Sequence, residues 1–138
     1  MLSKPKFAVF GGGSWATAIV KMLCENLETV GWYMRSIYAT EHIKLNKHNP
    51  NYLSSAELHP NQLILSNNIN KTVENFDILV FAIPSAFLTS ELKKLTTSLS
   101  NKVIFSAIKG IVPESGLIVG EHFFKKYSLI RKGFWGFG

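Results

Sequence analysis

The sequence predicts one α/β domain built on a doubly wound, mainly parallel sheet with helices on both faces. Three observations carry that expectation. Short apolar runs alternate with amphipathic stretches along most of the 138 residues. Two of those runs, Ile78 to Ile83 and Lys102 to Ile108, lack the in–out alternation of a half-solvated strand. Strands of that kind are buried on both faces, as in a parallel sheet covered by helices. Finally, "FAVFGGGSWATA", Phe7 to Ala18, runs from an apolar segment through three glycines into a helical pattern.

The elements follow in order. Lys6 to Phe10 reads as a strand. Ser14 to about Asn26 reads as a helix, with Trp15, Ala18, Ile19, Met22 and Leu23 on one face at i, i+3, i+4, i+7 and i+8. Thr29 to Met34 is a second strand with Gly31 and Trp32 inside it, and Ala39 to Leu45 a short helix. "NKHNPNYLSSAELHPN" is a turn-rich connection. Gln62 to Leu65 is a third strand and Asn70 to Asn75 a brief helical turn. After the strand Ile78 to Ile83, Pro84 ends the run. Ala86 to Leu99 is helical, with Leu88, Leu92, Leu95 and Leu99 on one face. Lys102 to Ile108 is the next strand, and Pro113-Glu114 opens a last helix reaching about Tyr127.

Composition narrows the class. At 46% apolar and 17% charged residues, the chain is of globular type. No apolar run is long enough to span a bilayer. The start has too few apolar residues before the glycines for a signal peptide, so a cytoplasmic location is expected. Cys24 is the one cysteine, which excludes an internal disulfide and reads as a small buried hydrophobe. The net charge of +6 comes from scattered lysines without an aromatic-interleaved basic stripe, so neither nucleic acid nor membrane is an expected partner. His42, His48, His59 and His122 lack metal-ligand spacing. Asp77, the single Asp, precedes a strand at the end away from the ligand edge and reads as structural.

In such sheets, ligands bind outside the carboxyl ends of the strands. The first end carries Gly11-Gly12-Gly13-Ser14-Trp15-Ala16, which fits G-x-G-x-x-A between a strand and a helix, the context of a dinucleotide fingerprint. Gly11 would make the tight turn. Gly13, without a Cβ, would let a pyrophosphate approach the backbone, and Ala16 would let helix and strand pack closely. The free N–H groups of the first helical turn would face the phosphates. The second strand ends in Met34-Arg35-Ser36, with no acid between Thr29 and Thr40 to hold a ribose 2′-hydroxyl. Arg35 can meet a 2′-phosphate with charge-assisted hydrogen bonds, which favours NADP over NAD. The alternatives are that Arg35 stacks on adenine or is solvated.

Four runs, "GGGSWATA", "NPNYL", "VFAIPS" and "SAIKGI", in this order and at these spacings, resemble the successive motifs of bacterial NAD(P)-dependent glycerol-3-phosphate dehydrogenases. The resemblance covers Phe7 to about Tyr127. Ala16 stands where that family usually has Gly, a mild change at a packing position. The resemblance implies that residues 1–127 are the family's NAD(P)-binding Rossmann domain. It also implies cofactor contacts at Gly11, Gly13, Ser14, Trp15, Arg35, Tyr52 and Pro84. Lys109 would touch both cofactor and substrate, a catalytic role in which a cation stabilises developing negative charge. The implied reaction is reversible hydride transfer between NAD(P)H and dihydroxyacetone phosphate, a small phosphate substrate, giving sn-glycerol 3-phosphate for phospholipid synthesis.

After Tyr127 that family continues into one more strand and then a helical domain with the acid/base lysine. The tail here, residues 128–138, "SLIRKGFWGFG", resembles neither. The expectation is therefore a domain truncated before the helical one, binding dinucleotide weakly with little turnover. An interdomain face left bare would invite a homo-oligomer. Two other readings stay open: a stand-alone nucleotide-binding regulatory module on the same fold, and another two-domain dehydrogenase. Lys109 and the Asn49 to Leu53 motif favour the enzyme over the module, and the "IPS" and "SAIKG" pair argues against the other dehydrogenase.

Overall fold

A computed structural model describes residues 3–108, 111–127 and 134–136. Strands β1 (Phe7–Phe10), β2 (Val30–Tyr33), β3 (Leu63–Ser66), β4 (Ile78–Phe81), β5 (Val103–Ser106) and β8 (Phe134–Gly136) form one sheet in the order β3-β2-β1-β4-β5-β8. Every pairing in it is parallel. Between them run α1 (Ser14–Cys24), α2 (Ile37–Asn46), α3 (Ile69–Asn75), α4 (Ser85–Leu92) and α5 (Val119–Tyr127).

The sheet separates two apolar cores, and the split explains the unalternated strands. Ala8, Phe10, Leu79, Phe81 and Ile104 point to one face, where α3, α4 and α5 bring Val73, Leu88, Leu92 and Phe123. Val9, Trp32, Val80 and Ala82 point to the other, under Ala16, Ile19 and Val20 of α1 and Ile43 of α2. Phe10 stacks on Phe81 at 4.6 Å between ring centres, and Phe81 meets Phe123 at 5.1 Å. Gly31 is required by this packing, because a Cβ there would collide with the Phe76 ring. Asp77 Oδ2 accepts the Lys6 backbone N–H at 2.8 Å, the structural role expected for it.

Four expectations are corrected. The buried face of α1 is Ala16, Thr17, Ile19 and Val20, while Trp15 and Met22 are each 55% exposed. Helix α4 stops at Leu92, not Leu99, because the Asn70 side chain captures the Thr96 and Thr97 N–H groups at 2.7 and 2.9 Å. Leu99 still reaches the core from the following loop. The helical turn expected at Asn70 to Asn75 is present, as most of the short α3, which Asn68 caps. Pro113-Glu114 opens no helix. A two-stranded antiparallel ribbon, β6 (Ile111–Val112) and β7 (Leu117–Ile118), turns there through Gly116 at φ +68°. Last, Phe134–Gly136 in the tail forms β8, which pairs with Ile104–Ser106 and so closes the open edge of β5. The side chains of Phe134 and Trp135, and all of Phe137, lie outside the described residues.

Candidate functional site at the carboxyl ends of the strands

The parallel ladder continues past the strands and levels their ends. Gly11 N–H donates to Tyr33 O at 3.0 Å, Ala82 N–H to Phe10 O at 2.8 Å, and Met34 N–H to Ser66 O at 3.0 Å. Trp32 Nε1 also donates to Gly11 O at 2.6 Å from inside the core. The glycine loop is thus anchored at its first residue.

The three glycines differ physically. Gly11 has φ +132°, and a Cβ there would lie 2.6 Å from Ala82 O, so both conformation and space demand glycine. A Cβ on Gly12 would come within 3.2 Å of the Met34 sulphur. Gly13 has no atom within 4 Å of where its Cβ would be. The space above Gly13 is therefore open to a ligand, as expected if its missing Cβ serves an approaching phosphate. Gly13 is also the N-cap of α1, so no side chain caps that N-terminus. By contrast α2 and α3 are capped by Ser36 and Asn68. Uncapped first-turn N–H groups and the helix dipole favour an anion there.

A cavity of about 290 Å³ runs from Gly11–Gly13 past Met34, Arg35 and Ser36 to Tyr52, Pro84, Phe87 and Glu91. Arg35 is exposed and stands over the Phe87 ring at 5.2 Å. Ser36 spends its hydroxyl on Ala39 N–H, so it serves the helix first. A second cavity of about 270 Å³ lies across the Ile83-Pro84 turn, lined by Trp15, Ser85, Ala107 and Ile108. The two cavities share Ile83 and Pro84. An extended ligand crossing the first strand could therefore occupy both.

Of the residues singled out in the sequence, Gly11, Gly13, Arg35, Tyr52 and Pro84 line the first cavity, and Trp15 with Pro84 lines the second. Ser14 is exposed at the first position of α1 and lines neither. Lys109 lies outside the described residues. Asn49, named in the sequence only as part of the Asn49 to Leu53 motif, and three side chains not singled out, Tyr33, Phe87 and Glu91, also take part. Asn49 is buried and bonds Gly12 O at 3.1 Å and Thr17 Oγ1 at 3.0 Å. Its Oδ1 accepts the N–H groups of Asn51 and Tyr52 at 3.0 and 3.3 Å. Tyr33, Phe87 and Glu91 complete the cavity wall. The signal for Phe87 and Glu91 was their i, i+4 spacing on the helix that leaves Pro84. For Tyr33 there was none.

Residues 6–127 match the family model described as NAD-dependent glycerol-3-phosphate dehydrogenase N-terminus. The chain belongs to this family. Curated relatives agree. A glycerol-3-phosphate dehydrogenase [NAD(P)+] of Pseudomonas syringae pv. tomato is 34% identical over 121 residues, covering 88% of this chain and 35% of that protein. The one from Pseudomonas aeruginosa is 31% identical over the same coverage. The chain thus spans about a third of the length of the curated relatives it matches. Among solved structures, the glycerol-3-phosphate dehydrogenase of Saccharomyces cerevisiae superposes with a TM-score of 0.74 at 27% identity, over 91% of this chain and 40% of that one. The Coxiella burnetii enzyme superposes at 0.77 with 19% identity, over 91% and 38%, a likeness of fold.

The matching relatives carry NAD(P)+ in their names, and the family model is that of the NAD-dependent N-terminus. No group of three or more His, Cys, Asp or Glu side chains that could hold a metal ion occurs among the described residues. No helix among them is long and apolar enough to cross a membrane. Cys24 is half-buried, and desolvation pushes its thiol above the usual range despite nearby Lys21. That fits a packing role.

Proposed function

We propose that this chain supplies the cofactor-binding part of a glycerol-3-phosphate dehydrogenase that prefers NADPH. The observation that carries the reading is the single cavity joining the open Gly13 backbone to the Arg35 guanidinium. The glycine loop and the uncapped α1 N-terminus would hold the pyrophosphate. Arg35 would hold the 2′-phosphate, with Phe87 beneath the guanidinium to fix its plane. Tyr52 would close the cavity from the Asn49 turn. Trp15, Pro84 and the second cavity would receive the nicotinamide end. When bound, the nicotinamide supplies or accepts the hydride exchanged with dihydroxyacetone phosphate or sn-glycerol 3-phosphate. Lys109, next to the end of β5 in sequence, is proposed to hold the substrate oxygen and offset its developing charge.

A polypeptide of these 138 residues alone is proposed to bind dinucleotide weakly and turn over little. The larger part of the relatives' length falls outside the matched region. Titration with NADPH and NADH, followed by tryptophan fluorescence, tests the reading. Tighter NADPH is expected, and tighter NADH would defeat the preference. Substantial dihydroxyacetone-phosphate reduction by the chain alone would defeat the inactivity.

A further inference from the structure

One buried ionisable side chain in the cavity wall has no part in the reading above. Glu91 sits on α4 four residues after Phe87 and is 3% exposed, yet it lines the same cavity as the glycine loop. Two elements hold its carboxylate. Tyr33 Oη, from the end of β2, donates to Oε2 at 2.5 Å. Lys94 Nζ, from the turn after α4, donates to Oε1 at 3.0 Å. Burying a carboxylate is costly unless it is paired and hydrogen-bonded, and a leucine would fill a helix face beside Leu88 and Leu92 without that cost. A carboxylate offers about four acceptor positions, and these two bonds use half of them. The remainder are free to accept from a ligand in the cavity that Glu91 lines.

The chemistry along the cavity says which part of a ligand arrives there. The phosphates belong at the glycine loop, and Arg35 takes the ribose phosphate. The wall made by Ile83, Phe87 and Glu91 is left for the base. Its apolar members suit the flat ring, and Glu91 adds an acceptor without a donor of its own. Adenine presents an exocyclic amine, a donor. A 6-oxopurine presents a carbonyl whose lone pairs the carboxylate would repel.

We propose that Glu91 selects the base, its carboxylate accepting a hydrogen bond from the exocyclic amine of adenine while Lys94 holds the other oxygen. This rests on the reading of the cavity as a dinucleotide site. The test compares binding of NADPH and of its hypoxanthine counterpart to the 138-residue chain by calorimetry. A hydrogen bond to a charged group predicts about 10-fold or more preference for adenine. In Glu91→Gln, whose amide can donate as well as accept, the ratio falls toward one. In Tyr33→Phe, which loses a comparable internal bond but keeps the carboxylate, the preference survives. Where Glu91→Gln does not fold, Glu91→Asp replaces it, keeping the charge for Lys94 while withdrawing it from the cavity. Equal binding of the two dinucleotides to the unaltered chain, or an unchanged ratio in the Glu91 variant, overturns the assignment and leaves the dinucleotide reading standing. Binding of neither overturns both.

Discussion

Asn49 Nδ2 donates to Gly12 O at 3.1 Å, joining two loops 37 positions apart in sequence. The same side chain accepts from the backbone of Asn51 and Tyr52. One buried amide therefore sets both the floor of the cavity at the glycines and its rim at Tyr52. The tie also bears on Thr17, which bonds Gly13 O at 2.7 Å while receiving Asn49 at 3.0 Å. An amide suits this place because it donates on one side and accepts on the other.

Asn49→Ala is expected to cost about 1–3 kcal/mol, the penalty of leaving buried polar partners unmet. Urea denaturation measures it. Asn49→Asp keeps the acceptor for Asn51 and Tyr52, loses the donor to Gly12 and brings a negative charge to the phosphate loop. Dinucleotide affinity should therefore fall more in Asn49→Asp than stability does. Equal losses in stability and affinity would count against this division of roles.

The first and third glycines should fail in different ways. Gly11→Ala forces a Cβ against Ala82 O and into a backbone region that disfavours side chains, so the folded state itself should be lost or weakened by several kcal/mol. Gly13→Ala meets nothing in the protein. It should fold with nearly unchanged stability and lose dinucleotide binding, because its methyl group occupies the space a phosphate needs. Thermal melting and NADPH titration of both variants check the contrast. A Gly13→Ala chain that binds normally would show that the phosphate lies elsewhere.

Arg35 carries the cofactor preference. Arg35→Gln should weaken NADPH binding by about 10-fold or more, the worth of a charged hydrogen bond, and leave NADH nearly unchanged. Phe87→Leu should do the same more mildly, because it removes the ring under the guanidinium. Parallel losses for both cofactors would mean that Arg35 supports the base instead.

The sheet was readable because the code for it is local. The unalternated run Ile78 to Ile83 reads as a strand covered twice, and the glycine loop as a junction between a strand and a helix. Gly11, Gly13, Arg35 and Pro84 were legible for the same reason: each sits where a strand ends. Asn49 was legible only as the first residue of the Asn49 to Leu53 motif, inside a turn-rich stretch that gave no sign of what its side chain bonds. Its partners at Gly12 and Thr17 come from tertiary packing that no spacing encodes. Glu91 was hidden by its neighbours, since Leu88 and Leu92 make α4 read as an ordinary buried face. The early end of α4 had a similar origin, a side chain of α3 capturing the backbone of Thr96 and Thr97. Strand β8 was missed because glycines interrupt the tail's aromatics, and the backbone of Phe134–Gly136 finds its partner only at the distant edge of β5.

Tyr33 makes a prediction about alkaline pH. Burial above all, then the hydrogen bond to Glu91 and its charge, push the phenol above its ordinary range, with Arg35 opposing. The folded chain therefore keeps a proton that the unfolded chain releases near its ordinary value of about 10. The stabilisation this gives is intact below that value and is lost as pH rises above it toward the folded value. Tyr33→Phe removes the ionisation altogether. Its stability should be lower near neutrality, where Glu91 has lost a donor, but should decline less steeply above about pH 10. Urea denaturation of both chains over roughly pH 8 to 11 compares the slopes. Parallel slopes would mean that the phenol ionises no differently in the folded and unfolded chains.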